Sequence, residues 1–269
     1  QTMNRHYDVI VVGGGLFGVM TALKLAKTHR TLLMERNSDI LQEASFINQN
    51  RVHFGFHYSR SLETAYESLN GYDLFKERFG SYMRTFENYY GIMSKGSLTS
   101  PDDYRKFAAT LRDTRNVYSK EVDVNQWFLK PGHVAALLEM GEPVVDMAKV
   151  REDLKAELAG CKNLTVAYNT TAMALESERP FIVATNDGKY KSDFLINASY
   201  GNLCWHNHPE APKIEIQYVE MVELESERAI PGLTLMDGPT CFGVMPLGLS
   251  PTRYWWYSVA YSVHMRVET

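Results

Sequence analysis

Residues 7–35 read YDVIVVGGGLFGVMTALKLAKTHRTLLME, and the succession of patterns within them decides the fold. Residues 7–12 (YDVIVV) form a short apolar, β-branched run that suits a buried parallel strand. The run enters Gly13, Gly14 and Gly15 directly, so a tight turn follows. Residues 16–28 then place apolar side chains three and four apart among strong helix formers, and residues 31–35 (TLLME) return to a strand pattern. Strand, helix and strand within about thirty residues predict a βαβ unit.

Within that unit Gly13, Gly15 and Gly18 match GxGxxG. The first glycine permits the turn, the second lets backbone approach a pyrophosphate, and the third allows the helix to pack close to the strand. The helix N-terminus, with Leu16 and Phe17, then faces the phosphates. Glu35, at the end of the second strand and followed by Arg36, is placed to accept hydrogen bonds from a ribose hydroxyl pair, which disfavours a 2′-phosphate and hence NADP. A glycine turn that holds no ligand is the plain alternative. Its position between strand and helix, with an acidic residue on the second strand, favours a dinucleotide, either NAD or FAD.

Working outward, residues 36–60 are irregular and polar. Ser61 is then placed to cap an amphipathic helix whose apolar face includes Leu62, Ala65, Tyr66, Leu69, Tyr72, Phe75 and Phe79 and is expected to pack on the sheet. Residues 86–93 are strand-like, and residues 100–113 carry a proline and two aspartates where a helix N-terminus favours them. Asp146 is expected to cap a helix bearing Val150, Leu154 and Leu158. Strand patterns follow at 164–168, 181–185 and 194–198. From Ile214 onward the segments IEIQYVEMVELE, CFGVMP and RYWWYSVAYSV predict a separate antiparallel sheet.

Composition narrows the classes. With 45% hydrophobic and 22% charged residues over 269 positions, the chain buries a core of ordinary globular size. A net charge of −4 supplies no broad basic field for nucleic acid or anionic lipid. Cys161, Cys204 and Cys241 are widely spaced and odd in number, which points away from a disulfide framework or a zinc site and towards a cytoplasmic location. The longest apolar stretches are strand-sized, so no transmembrane segment is expected, and residues 1–6 (QTMNRH) read as a tag remnant or short leader.

Residues 44–60 (ASFINQNRVHFGFHYSR) concentrate Asn48, Asn50, Arg51, His53, His57, Tyr58 and Arg60 around Gly55. In an extended run Arg51, His53, Gly55 and His57 would share one side and form a wall for a planar ring and a substrate. Taken singly, each of these residues is equally well read as a solvated polar position or a core histidine. The segment resembles the second cofactor-contacting stretch of the D-amino-acid oxidase superfamily of FAD-dependent oxidoreductases, which includes 2-hydroxy-acid and glycerol-phosphate dehydrogenases. Ala44, Ser45, Asn48, His53 and Gly55 match the small residue, serine, asparagine and histidine-glycine pair that line the flavin there.

The resemblance extends through residues 142–160, 164–176 and 187–202 and covers about two thirds of the chain; by it Val166, Ala198, Ser199 and Gly201 lie near the cofactor. Ser199 and Tyr200 intervene before Gly201, where the family has glycine sooner, and the sequence ends at Thr269 without the family's C-terminal flavin-closing segment. The resemblance implies an α/β fold with a Rossmann-type FAD-binding domain at residues 1–80 and 145–205. A mainly antiparallel α+β substrate domain is expected at residues 81–144 and 206–269. The implied cofactor is FAD, and the implied activity is that of a dehydrogenase or oxidase in which flavin N5 takes a hydride from a small hydroxy acid, amino acid or related polar substrate. An electron acceptor of unspecified identity completes the cycle.

For the chemistry itself, a substrate carboxylate or phosphate requires a cation, and Arg51, Arg60 and Arg253 are candidates because guanidinium meets such groups in bidentate geometry. Hydroxyl oxidation also requires a base near neutral pH, with His53 preferred to His57. Tyr218, Tyr254, Trp255, Trp256 and Tyr257 are better read as core than as a pocket wall. The competing readings are a flavoenzyme with no net redox change, similar to UDP-galactopyranose mutase, and a non-catalytic dinucleotide-binding module. A nicotinamide dehydrogenase ranks lower.

Overall fold

The computed structural model describes residues 6–202, 215–236 and 241–268; Cys204 lies outside them. In chain order the first half forms β1 (His6–Val12), α1 (Leu16–Leu25), β2 (Thr31–Met34), α2 (Leu62–Phe79), β3 (Met83–Thr85), β4 (Asn88–Met93), α3 (Pro101–Arg115), β5 (Ser119–Val122), β6 (Val134–Met140) and β7 (Pro143–Val145). The second half forms α4 (Met147–Gly160), β8 (Leu164–Ala167), β9 (Ala172–Glu178), β10 (Phe181–Thr185), β11 (Gly188–Asn197), β12 (Glu215–Val219), β13 (Val222–Glu225), β14 (Gly232–Met236), β15 (Phe242–Pro246), β16 (Arg253–Ser258) and β17 (Val263–Glu268). The chain divides into two compact units, one of Gln1–Asn48, Ala148–Ile216 and Val267–Thr269, the other of Gln49–Met147 and Gln217–Arg266.

The first unit is built on a six-stranded sheet in the order β8-β2-β1-β11-β10-β9. β2 and β11 flank β1 in parallel and β8 extends β2 in parallel, while β9, β10 and β11 form an antiparallel meander. The expected βαβ unit is present, and its four parallel strands deliver their carboxyl ends to one edge of the sheet. Ile10, Val12, Leu32, Met34, Val183 and Tyr190 form a core cluster on this sheet. α1 buries Gly18, Val19 and Ala22, and α4 buries Val150, Leu154 and Leu158 at four-residue spacing.

The second unit holds a seven-stranded sheet, β13-β16-β15-β14-β4-β6-β5, antiparallel except where β14 lies parallel to β4. Period-two alternation gives β4 two apolar faces: Tyr90 and Ile92 join one core cluster, and Tyr89 joins the other. Among the late strands β12 and β17 pair as a two-stranded sheet of their own, whereas β13, β14, β15 and β16 do not stand apart as their run in sequence suggested. β14, buried at all five positions, joins them to β4. Alternation identifies a strand but not its neighbour, and the partner lies well over a hundred residues earlier.

Ser61 caps α2 as expected, accepting from the Thr64 amide at 3.2 Å, and Ser100 caps α3, accepting from the Asp103 amide at 3.1 Å ahead of the expected proline and aspartates. α2 buries Ala65 and Leu69 among Tyr90, Tyr104, Leu111 and Leu138 of the second unit. Residues 49–80, expected in the cofactor domain, thus belong to the other unit. An amphipathic pattern establishes that a face is buried without stating against which sheet. Among the described residues no helix is long and apolar enough to cross a membrane.

Candidate functional site

At the carboxyl edge of the first unit's parallel strands, β1 runs into the glycine turn. Gly13 has φ +109°, and a Cβ there would stand 2.5 Å from the Ala198 carbonyl oxygen. A Cβ on Gly18 would stand 1.8 Å from the Gly13 carbonyl oxygen, so the helix seats against the turn only with hydrogen at that position. Gly15 is the N-cap of α1 in extended backbone, and the neighbouring Leu16 amide donates to Ser45 Oγ at 2.9 Å. Phe17 is 84% exposed, so its ring takes no part in the core.

Glu35 is buried beside this turn. Its Oε2 accepts the Gly14 amide at 2.6 Å and its Oε1 accepts the Asn37 amide at 2.7 Å. A Cβ on Gly14 would come 2.7 Å from the same Oε2, which gives the variable position of GxGxxG a role that the pattern alone did not reveal. Each carboxylate oxygen retains a second lone pair, enough for a ribose diol. Arg36 points outward in an exposed pair with Glu43 at 3.1 Å. Asn48 donates to the Ala44 carbonyl at 2.9 Å, which ties the 44–48 turn together.

The other predicted cofactor residues of this unit collect at the same edge. Val166, on β8, pairs with Leu33 of β2. The Ala198 amide donates to the Val12 carbonyl at 2.8 Å, carrying the chain from β11 past the end of β1. Ser199 Oγ donates to Asn197 Oδ1 at 2.5 Å, Tyr200 has φ +54°, and Gly201 has open space where a side chain would stand.

In the second unit residues 51–58 are not an extended run. Arg51 makes one isolated bridge to Val144, and Gly55 then turns at φ +91° with Ala65 backbone 2.5 Å from a Cβ position. The alternation that put Arg51, His53 and His57 on one side therefore stops at Gly55. His53 and His57 still meet, their rings 5.6 Å apart, and His57 packs edge-on against Tyr58.

Arg51 turns inward. Its side chain is 1% exposed, with Nε 2.7 Å from Glu142 Oε2, a charge contact rather than an aligned hydrogen bond. Nη1 donates to Thr234 Oγ1 at 2.8 Å, Nη2 donates to Asn88 Oδ1 at 3.3 Å, and the guanidinium lies 4.4 Å over the Tyr90 ring. This corrects its assignment as a substrate anchor, because its fork is spent on buried partners. Arg253 is exposed on β16 and paired with Glu223 of the neighbouring strand β13, a surface arrangement rather than a convergent binding group.

Glu142, which the sequence reading passed over, is the centre of this cluster. Its side chain is fully buried; Oε1 accepts the Phe54 amide at 2.7 Å and Oε2 accepts the Tyr90 hydroxyl at 3.0 Å. Burial alone would raise its pKa, but the Arg51 charge, His53 and the Phe54 amide outweigh it and hold the carboxyl down to about 2. Burial pushes the Tyr90 hydroxyl well above its ordinary value, so it remains a protonated donor. His53 Nδ1 lies 3.3 Å from Tyr90 Oη and 3.6 Å from Glu142 Oε2, with the imidazole side chain 28% exposed. Among the described residues no group of histidine, cysteine and acidic side chains is arranged to hold a metal.

Known proteins share this architecture. NikD, described as an unusual amino acid oxidase essential for nikkomycin biosynthesis, superposes with a TM-score of 0.74 at 16% identity, over 95% of this chain and 70% of that one. Glycine oxidase from Geobacillus kaustophilus gives 0.72 at 15% identity, over 98% of this chain and 72% of its own. At these identities the likeness shows the fold. In sequence, the FAD-dependent monooxygenase FPY4 of Fusarium mangiferae is 25% identical over 88% of this chain and 60% of its own length. The chain thus spans about three fifths of that relative. The model of the family described as FAD dependent oxidoreductase matches residues 8–242, and the chain belongs to that family.

Proposed function

We propose that this chain binds FAD through its first unit and takes part in oxidising a small polar substrate at a carbon bearing a hydroxyl or amine. The observation that carries the reading is the glycine turn closed on Glu35. The Gly14 amide and Glu35 carboxylate hold each other, Gly13 and Gly18 admit no side chain, and the turn opens directly into α1. Gly13, Gly15 and the Phe17 amide would receive the pyrophosphate, joined by the Leu16 amide on exchanging Ser45 Oγ for the ligand, where backbone N–H groups and the helix dipole favour an anion. Glu35 would take the adenosine ribose, with Val166 flanking the adenosine half, and Ala44, Ser45, Asn48, Ala198, Ser199 and Gly201 completing the first unit's contacts. Arg36, turned outward, is the weakest of the proposed contacts. When bound, FAD supplies a two-electron acceptor at its N5.

For the substrate, His53 is the proposed base that removes the hydroxyl or ammonium proton, since its ring is partly exposed while its Nδ1 is tied to a buried network. Gly55 gives the turn after it, and His57 packs against it. The name monooxygenase carried by the fungal relative makes a hydroxylating reaction the competing outcome. No nucleic-acid partner is proposed, on the net charge of −4, and a reducing, cytoplasmic setting is proposed on the wide spacing and odd number of Cys161, Cys204 and Cys241.

The test is the visible spectrum of the purified chain before and after excess FAD and removal of the unbound portion. A retained flavin band, bleached anaerobically by a hydroxy or amino acid, is expected. A chain that retains no flavin under either condition overturns the reading.

A further inference from the structure

The buried cluster beneath His53 is more elaborate than packing requires. A fully buried arginine–carboxylate pair is no more stable than well-packed apolar side chains of the same volume, because desolvation offsets most of the attraction. Here the pair continues through Tyr90 to an imidazole that is 28% exposed. All four side chains belong to the second unit, and they come from the 51–54 segment, β4 and the residue before β7.

Counting donors and acceptors fixes the direction of the hydrogen bonds. Glu142 is ionised, so Oε2 can only accept, and Arg51 Nε beside it is not aligned to donate. The Tyr90 hydroxyl at 3.0 Å is therefore the aligned donor to Oε2, and its single proton is committed there. What Tyr90 Oη presents to His53 Nδ1 at 3.3 Å is a lone pair, and what Glu142 Oε2 presents at 3.6 Å is a negative charge. Both demand a proton on Nδ1. The neutral ring must then carry its free lone pair on Nε2, the nitrogen turned away from the cluster.

We propose that Glu142, acting with Tyr90, is a positioning residue that fixes His53 in the Nδ1–H tautomer and so reserves Nε2 as the proton acceptor of the reaction. This rests on the reading of His53 as the base. Arg51 keeps Glu142 charged, Asn88 holds the backbone at Glu142 by donating Nδ2 to its carbonyl at 3.1 Å, and the Phe54 amide joins the carboxylate to the residue after His53. His57 and Tyr58 also pack near the ring, at 5.6 and 6.4 Å between centroids.

The experiment is two-bond proton–nitrogen correlation on the full chain labelled with 15N-histidine, with the His53 signals assigned by their loss in His53→Gln. In the parent chain above the imidazole titration, His53 is expected as the Nδ1–H tautomer, with Nε2 showing the shift of an unprotonated nitrogen. In Glu142→Gln the Tyr90 proton is released from the carboxylate and can be donated to Nδ1, so the population is expected to move to Nε2–H. Tyr90→Phe leaves the carboxylate in place and is expected to keep Nδ1–H, which makes it the second variant should Glu142→Gln not fold.

A parent chain in the Nε2–H form, or a folded Glu142→Gln with an unchanged tautomer, overturns the proposal. The tautomer is read without substrate, so its failure is separate from failure of the base reading. The base reading fails if His53→Gln still shows substrate-dependent bleaching of bound FAD.

Discussion

Replacing Gly15 and Gly18 separately by alanine should divide cofactor binding from folding at the glycine turn. A Cβ on Gly18 would lie 1.8 Å from the Gly13 carbonyl oxygen, and contacts under 3.0 Å essentially do not occur, so α1 and the turn must part by at least 1.2 Å. Neither side yields easily, because the Gly13 amide is bonded to the Met34 carbonyl at 2.8 Å and α1 buries Val19 and Ala22 beside it. The cost belongs at the upper end of overpacking, about 3 kcal/mol. Gly15 differs: its φ is −70°, and a Cβ would meet only Ser45 Oγ at 3.2 Å, which a hydroxyl relieves by shifting a few tenths of an ångström. Its stability loss should stay under about 1 kcal/mol. The new methyl nevertheless stands where backbone must approach a pyrophosphate, so FAD affinity should fall at least tenfold, about 1.4 kcal/mol. Urea unfolding followed by circular dichroism and titration of flavin fluorescence read the two quantities independently. Gly71→Ala, in the exposed middle of α2 with nothing within 4 Å of its Cβ, is the control; it should gain up to about 1 kcal/mol and leave FAD binding unchanged. A Gly18→Ala chain as stable as the parent, or a Gly15→Ala chain that binds FAD equally well, would refute the reasoning.

Arg51→Met leaves Glu142 charged and buried without its cation and should cost about 3–5 kcal/mol in urea unfolding, part of which returns in Arg51→Met with Glu142→Gln. A single variant within about 1 kcal/mol of the parent would show that the pair is not the buried charge balance described above. Because the folded-state pKa of Glu142 lies at about 2, below its ordinary 4.5, the carboxylate contributes stability above the higher value and loses it as pH falls towards the lower. That contribution is about 3 kcal/mol at neutral pH; urea midpoints at pH 7, 4 and 3 should fall steeply in the parent and less in Glu142→Gln, and parallel curves would count against it. Arg253→Ala removes an exposed pair with Glu223 and should change stability by less than about 1 kcal/mol and substrate affinity by less than threefold. A large rise in KM would restore Arg253 as a substrate anchor.

The first unit was legible because its chemistry is local. The change of period from two to 3.6 across three glycines specifies strand, turn and helix, and Glu35 follows at the end of the very next strand, so turn, helix and acidic partner lie within one βαβ unit. In the second unit α2, β4, α3, β15 and β16 were legible but the buried cluster they carry was not, and the failures share a cause. Arg51 was read through an alternation that Gly55 breaks, and Glu142 stands 91 residues beyond Arg51 and 52 beyond Tyr90. A carboxylate in the stretch MGEPVV, between two strands whose apolar residues are buried, does carry a signal: a charge at such a position demands a cation and donors. Composition cannot say which of 28 lysines and arginines answers it. The pairing of β4 with β6, which sets Asn88 opposite Met140, brings the carbonyls of residues 140 and 142 within reach of the Asn88 amide, and the bridge of Arg51 to Val144 sets Arg51 beside Glu142. A sheet register, a long-range quantity, therefore decides whether His53 has a fixed tautomer, and the proposed base is the residue whose chemistry depends most on contacts its own neighbourhood does not encode.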